Sequence, residues 1–239
     1  MTERLSVDLA LSDNLQRIQE TMNSACISAG RKPDDVKLLA VTKTVDVDRI
    51  NAAIRLGIAQ IGENRVQEFL SKRDHLDLAN VQAHLIGHLQ TNKVKQIVGN
   101  VQMIQSVDSL RVAQAIDRYS QELGIVTPVL IEVNIGGEVA KSGVSPSELE
   151  RLLYECCPLK GIHVQGLMTV PPILQKESEK RAIFSKMYRL FVDIKAKKLD
   201  NIDMQELSMG MSDDYREAIL EGSTMIRVGS ALFGARNYN

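Results

Sequence analysis

No window of the chain is apolar for the ~20 residues that a membrane-spanning helix needs. The first residues, Met1-Thr2-Glu3-Arg4, lack the charged-then-apolar pattern of a signal peptide. Cysteine is scarce: Cys26, Cys156 and Cys157 make no CxxC pair, and their odd count gives no disulfide framework. Neither sign of charge is in excess. A formal net charge of -1 removes the simplest argument for nucleic acid, which needs a basic surplus or stripe. A GxGxxG fingerprint is missing after the first strand-like segment, which weakens a dinucleotide-binding fold. No Pro-, Gly- or Ser-rich linker divides the 239 residues, so one domain over residues 1–239 is expected. Together these absences fit a soluble protein of a reducing cytoplasm, with no nucleic-acid or membrane partner.

What is present centres on Leu38-Leu39-Ala40-Val41-Thr42-Lys43-Thr44. An apolar run this short, bounded by Asp34-Asp35 and Asp46-Val47-Asp48, reads as a buried strand that ends in a lysine. Burial lowers an amine's pKa, which makes a lysine a nucleophile able to form a Schiff base. Taken alone, a strand-end lysine that reaches water is the plainer reading.

Around this strand the chain alternates. Leu15, Ile18, Met22 and Ala25 make one helical face between about Ser12 and Ala29, before Gly30 and Pro33. Later helices are expected near residues 46–56, 66–73, 92–98, 109–123, 145 onward, 176–198 and 214–221. Strands are expected at 59–62, 81–86, 102–107, 129–135, 162–170, 203–208 and 225–228. The strand of Val129–Ile135 is placed after Pro128. Ser145-Pro146-Ser147-Glu148 is read as a helix start. Strands separated by helices favour an all-parallel sheet, and eight such repeats favour an α/β fold of the (β/α)8 TIM-like barrel type with an extra N-terminal helix. A doubly wound open sheet is the structural rival.

Barrel enzymes and binding proteins work at the C-terminal ends of their strands. There this sequence places Lys43, Gly62-Glu63-Asn64-Arg65, Asn134, Ser208-Met209-Gly210-Met211-Ser212 and Arg227-Val228-Gly229-Ser230. Gly229-Ser230 opens a short final helix, whose backbone N–H groups favour an anion. Each serine alone is an ordinary cap, but together with a buried lysine they favour a phosphate-bearing carbonyl ligand. Two chemistries fit: pyridoxal 5′-phosphate held on the lysine, or a class I aldolase acting on a sugar phosphate. Arg227 could face a pyridine nitrogen and keep it unprotonated, or pair with Glu206. Spacing leaves both open.

Several long motifs resemble the pyridoxal phosphate homeostasis proteins. They are Ala40–Lys43, Ile61–Glu68, His84–Lys93, Val133–Glu138, Lys141–Gly143, Gly166–Thr169, Leu207–Tyr215 and Arg227–Arg236. Ile61 stands where an aromatic residue is common in that family, and Ser230 where threonine also occurs. The resemblance implies a barrel similar to the N-terminal domain of alanine racemase, a fold type III PLP protein. It implies Lys43 as the lysine that carries pyridoxal 5′-phosphate (PLP), phosphate binding by Ser208, Gly229 and Ser230, and Asn64 and Arg227 near the cofactor ring. It also implies a role in PLP and vitamin B6 homeostasis without turnover, with PLP-dependent apo-enzymes as recipients. Racemisation needs a base on each face of the substrate carbon. In alanine-racemase-like enzymes one base comes from a domain after the barrel, and the sequence given stops at Asn239. Tyr215 and Tyr238 do not follow from spacing as that second base. A monomeric, open barrel suits handing the cofactor over. The alternative is a PLP-dependent amino-acid racemase or lyase working as a dimer.

Other groups carry less. His84 and His88 are spaced as a metal pair, but His84 falls within a strand, so the two need not share a face, and no metal is expected. Cys156-Cys157 reads as packing. Lys93, Lys95, Lys195, Lys197 and Lys198 read as solvated helix faces.

Overall fold

The structure, a computed structural model, describes residues 2–138 and 141–234; of residues 2–8 only the backbone is described. Eight parallel strands close on themselves in sequence order. They are β1 (Lys37–Val41), β2 (Gln60–Glu63), β3 (Gln82–Leu85), β4 (Met103–Val107), β5 (Thr127–Glu132), β6 (Ile162–Met168), β7 (Ile202–Ser208) and β8 (Met225–Val228). β8 pairs with β1 from Lys37↔Met225 to Ala40↔Val228, which completes the ring. The (β/α)8 barrel is therefore the observed fold, and the open sheet is excluded.

The outer helices are α1 (Thr2–Ser28), α2 (Val47–Arg55), α3 (Val66–Arg73), α4 (Val94–Ile97), α5 (Leu110–Glu122), α6 (Leu149–Cys156), α7 (Glu177–Lys197), α8 (Tyr215–Leu220) and α9 (Ser230–Phe233). Helices between successive strands cover seven gaps of an eight-stranded barrel. The gap between β8 and β1 has no crossover, and α1 fills it by packing on α8, α9 and α2. Its face of Leu15, Ile18, Met22 and Ala25 is buried, and Leu11 extends it one step. The helix begins at Thr2 rather than Ser12 because nothing in residues 2–11 stops a helix.

Other boundaries shift for local reasons. Pro128 lies inside β5, not before it. Pairing with β4 starts at Val129, so the missing N–H of Pro128 breaks no bond of that ladder. β5 ends at Glu132, and Val133 forms an isolated bridge to Val144 while its N–H donates to the Met168 carbonyl. Pro146, Ser147 and Glu148 form a turn, and α6 starts at Leu149. The expected helix at 92–98 divides into a 3-10 turn, Thr91–Lys93, and the four residues of α4.

Side chains alternate between two cores, as the strand period requires. Ala40, Ile61, Val129, Ile131 and Val164 face the helices. Leu39, Val41 and Met225, and separately Met103, Leu130 and Met168, fill the barrel lumen. One glycine is set by backbone approach. Gly166 has φ +152°, and a Cβ there would lie 1.8 Å from the Glu206 carbonyl oxygen. The register between β5 and β6 also slips at this point. Gly166→Ala should lower the unfolding free energy by at least about 3 kcal/mol. Urea denaturation checks this, since Ala would have to push β6 away from β7.

Candidate functional site

Each strand hands its C-terminal residues to the barrel mouth. β1 runs into a turn at Thr42-Lys43-Thr44, so Lys43 sits two residues past the strand rather than at its last position. Thr44 takes φ +61°, an unusual conformation for a β-branched residue. Thr42 is fully buried, and its hydroxyl donates to Glu63 Oε1 at 2.9 Å. β2 is followed by Asn64, whose Oδ1 is buried without a hydrogen-bond partner. Gly87 lets the backbone after β3 pass closely here: a Cβ on it would lie 2.3 Å from the Asn64 carbonyl oxygen.

One cleft of about 340 Å³ gathers most of the residues expected from sequence. Lys43, Asn64, Arg227, Gly229 and Ser230 line it, together with Ser212, Asp213 and the apolar Val41, Ile86, Val170, Ile173 and Met211. A second cleft of about 230 Å³ shares Val41, Lys43, Gly229 and Ser230 with the first. Arg49 and Phe233 form part of its wall. Lys43 thus borders both spaces.

Ser208 does not line the main cleft. It is fully buried in the lumen, where its hydroxyl donates to Gln105 Oε1 at 2.7 Å and accepts from Arg227 Nη1 at 2.8 Å. The hydroxyl that reaches the rim after β7 is that of Ser212. It accepts from the N–H groups of Gly229 and Ala231, both at 3.2 Å. The reason is strand geometry: Ser208 is the last residue of β7 and points inward, whereas Ser212 is in the loop beyond it.

Arg227 is buried, and among the described residues it makes no ion pair. Glu206 pairs instead with Lys37 and accepts from Thr224 Oγ1 at 3.0 Å. The Arg227–Glu206 pairing left open by spacing is therefore not formed. Nη2 of Arg227 donates to the Thr169 carbonyl at 2.7 Å, while Nη1 starts an internal relay. From Ser208 the relay passes to Gln105, whose Nε2 donates to His84 Nδ1 at 2.8 Å. Burial, helped by Lys37, holds the His84 pKa down at about 4, so the imidazole is neutral and its Nδ1 accepts. Burial also lowers the Arg227 pKa to about 10, which leaves it charged at neutral pH.

The opposite side of the mouth is acidic. Glu132 closes β5, and burial first, then Asp108, pushes its pKa up to about 7, while Arg227 and His88 pull it down. His88 Nδ1 lies 3.2 Å from Asp108 Oδ2. His84 and His88 therefore have separate partners, and the described residues hold no group of three metal-ligating side chains. Tyr215 packs into the outer core, and Tyr238 and Ala235-Arg236 lie outside the described residues. Gln105 and Glu132 went unnoticed in the sequence. The available signal was one polar residue inside an apolar strand, as in Met103-Ile104-Gln105 and Leu130-Ile131-Glu132.

The family model described as "Alanine racemase, N-terminal domain" matches residues 9–237. A pyridoxal phosphate homeostasis protein of Aquifex aeolicus is 42% identical over 226 residues, which is 95% of this chain and 98% of that protein. The crystal structure of an unknown protein from Bifidobacterium adolescentis superposes with a TM-score of 0.91 at 38% identity, covering 95% of this chain and 96% of that one. The structure of PipY from Synechococcus elongatus with PLP bound has a TM-score of 0.82 at 31% identity, covering 94% of this chain and all, 100%, of PipY.

The raised Glu132 pKa makes stability depend on pH. Between the ordinary carboxyl value of 4.5 and about 7 the folded chain holds a proton that the unfolded chain has lost. Stability therefore falls as pH rises through this window. Glu132→Gln removes the titration. The variant should gain about 2–3 kcal/mol on the wild type between pH 5 and pH 8, as measured by urea denaturation at the two values.

Proposed function

The chain belongs to the alanine racemase N-terminal-domain family and, within it, to the pyridoxal phosphate homeostasis proteins, and from this we propose that it binds PLP at the barrel mouth and acts in PLP and vitamin B6 homeostasis without catalytic turnover. The observation that carries the reading is the gathering of Lys43, Asn64, Arg227, Gly229 and Ser230 on one cleft. A volume of about 340 Å³ suits a small ligand, for which pockets run from ~300 Å³ upward.

The residues fit the group. The unpartnered Asn64 Oδ1 is an acceptor for the phenolic hydroxyl of a pyridoxal ring. Ile86, Val170 and Met211 offer apolar surface to the ring itself. At the start of α9, Gly229 and Ser230 supply the phosphate seat, and Ser212 adds a hydroxyl that already occupies an acceptor position there. Ser208 serves at one remove, by orienting Arg227 rather than by touching phosphate.

When bound, PLP supplies an aldehyde carbon that condenses with a primary amine, the oxygen leaving as water, and this gives the complex a visible absorbance. Lys43 provides the amine. Arg227 would face the ring nitrogen; its guanidinium, with a pKa of about 10, keeps its proton at neutral pH and so would leave that nitrogen unprotonated. An unprotonated ring nitrogen draws electrons weakly, which suits a carrier better than a catalyst of carbanion chemistry. We further propose that residues 1–239 form a single PLP-binding domain that works as a cytoplasmic monomer and delivers PLP to PLP-dependent apo-enzymes. The absence, among the described residues, of a helix long and apolar enough to cross a membrane is compatible with this setting.

Purified protein mixed with PLP should develop a visible absorbance band that Lys43→Ala lacks. Neither protein should racemise a panel of amino acids beyond the rate of free PLP. Robust turnover by the wild type would favour the racemase or lyase reading, and an aldolase that needs no cofactor predicts a colourless protein even with PLP present.

A further inference from the structure

Lys43 sits on a turn that its own sequence does not favour. Thr44 has φ +61°, a left-handed conformation that costs a β-branched residue free energy and persists only where neighbours impose it. The neighbours here are side chains of β2 and α3. Lys72 Nζ donates to the Thr42 carbonyl at 3.1 Å, to Glu63 Oε1 at 3.0 Å and to Glu68 Oε1 at 2.6 Å. All three of its donors are thereby used. Glu68 Oε1 also accepts the Thr44 N–H, at 2.5 Å. One ammonium and one carboxylate thus grip the backbone on both sides of Lys43.

The Lys72 side of the grip is sheltered, while the Thr44–Glu68 bond lies at the surface. The side chains of Lys72, Glu63 and Glu68 are 13%, 2% and 21% exposed. Charge-assisted hydrogen bonds in such surroundings are stronger than their surface equivalents. Glu68 keeps a pKa below the usual carboxylate value: burial pushes it up, but the bonds from Lys72 and the Thr44 N–H outweigh this. None of the three side chains lines the main cleft, so their effect on a ligand must pass through the turn.

We propose that Glu68 and Lys72 are positioning residues that hold the Thr42–Thr44 turn in its left-handed form and so aim the Lys43 amine at the cleft. The inference rests on the reading of Lys43 as the amine that joins PLP. Without the clasp, Thr44 relaxes to an ordinary conformation and the amine swings off line, while the barrel stays closed.

The test compares Glu68→Ala and Lys72→Met, each with and without Thr44→Gly, by PLP titration and melting temperature. Borohydride trapping with peptide mapping reports which amine is linked. Glycine takes the left-handed conformation at no steric cost, so it replaces the clasp's role without restoring its bonds. Each single variant should bind PLP roughly tenfold or more weakly, the effect of losing one charge-assisted hydrogen bond. Adding Thr44→Gly should recover most of that loss with no matching rise in melting temperature. Glu68→Gln, which keeps an acceptor for the Thr44 N–H, should fall between wild type and Glu68→Ala, and it carries the test should Lys72→Met fail to fold. Wild-type affinity in Glu68→Ala, or a loss that Thr44→Gly leaves untouched, would overturn the proposal. Wild-type protein trapped at an amine other than Lys43 would instead overturn the functional reading on which it stands.

Discussion

A guanidinium sealed inside a barrel must be solvated by the protein, and here that requirement orders the lumen. Arg227 is 3% exposed and has no paired carboxylate among the described residues. Leaving such a charge bare would cost several kcal/mol, on the order of the whole stability of a domain. Ser208, the Thr169 carbonyl, Gln105 and His84 supply the dipoles, each donor pointing the same way along the relay. The neutrality of His84 is part of this arrangement: an imidazolium would present a second positive charge to the same chain. The relay also explains why strands of otherwise apolar character carry a glutamine, a serine and a histidine on their inner faces.

That inner layer marks the limit of what could be read from residues alone. The alternation of strands and helices was legible, because hydrophobic period and glycine stops act locally. Lys43, Asn64, Arg227, Gly229 and Ser230 were legible as strand-end polar residues, and the barrel brings them to one cleft. The inward turn of the Ser208 hydroxyl was not legible, because sequence gives a strand's end but not the direction of its final side chain. A change of one residue moves a side chain from rim to lumen. Glu68 and Lys72 illustrate another limit. Their four-residue spacing announces a helical ion pair, but only the packing of α3 on β2 shows that the pair reaches the turn after β1. Pro128 looked like a boundary because its missing N–H matters only where a neighbouring strand asks for it.

The mouth is electrically divided. Lys43 and Arg227 stand with the amide-rich start of α9 on one side, while Glu132, Asp108 and the Asp108-bound His88 stand on the other. Asp213 also lines the cleft, so the potential that favours an anion is concentrated at Lys43, Arg227 and the start of α9. The same division keeps Glu132 titrating near neutrality, since its burial is only partly offset by Arg227.

The way the ring closes has a consequence for biosynthesis. α1 packs on α8 and α9, and Asn14 Nδ2 donates to the Leu232 carbonyl across 218 residues of sequence. Most of the apolar face of α1 therefore stays uncovered until α8 and α9 are in place. Until then Leu11, Leu15, Ile18 and Met22 are open to solvent and to chaperones. The ligand pocket, whose walls come from both β1 and β8, forms in the same closing event. Loss of the final turn would remove at once a packing partner of α1 and one wall of the cleft, so closure of the ring and completion of the site are a single structural event.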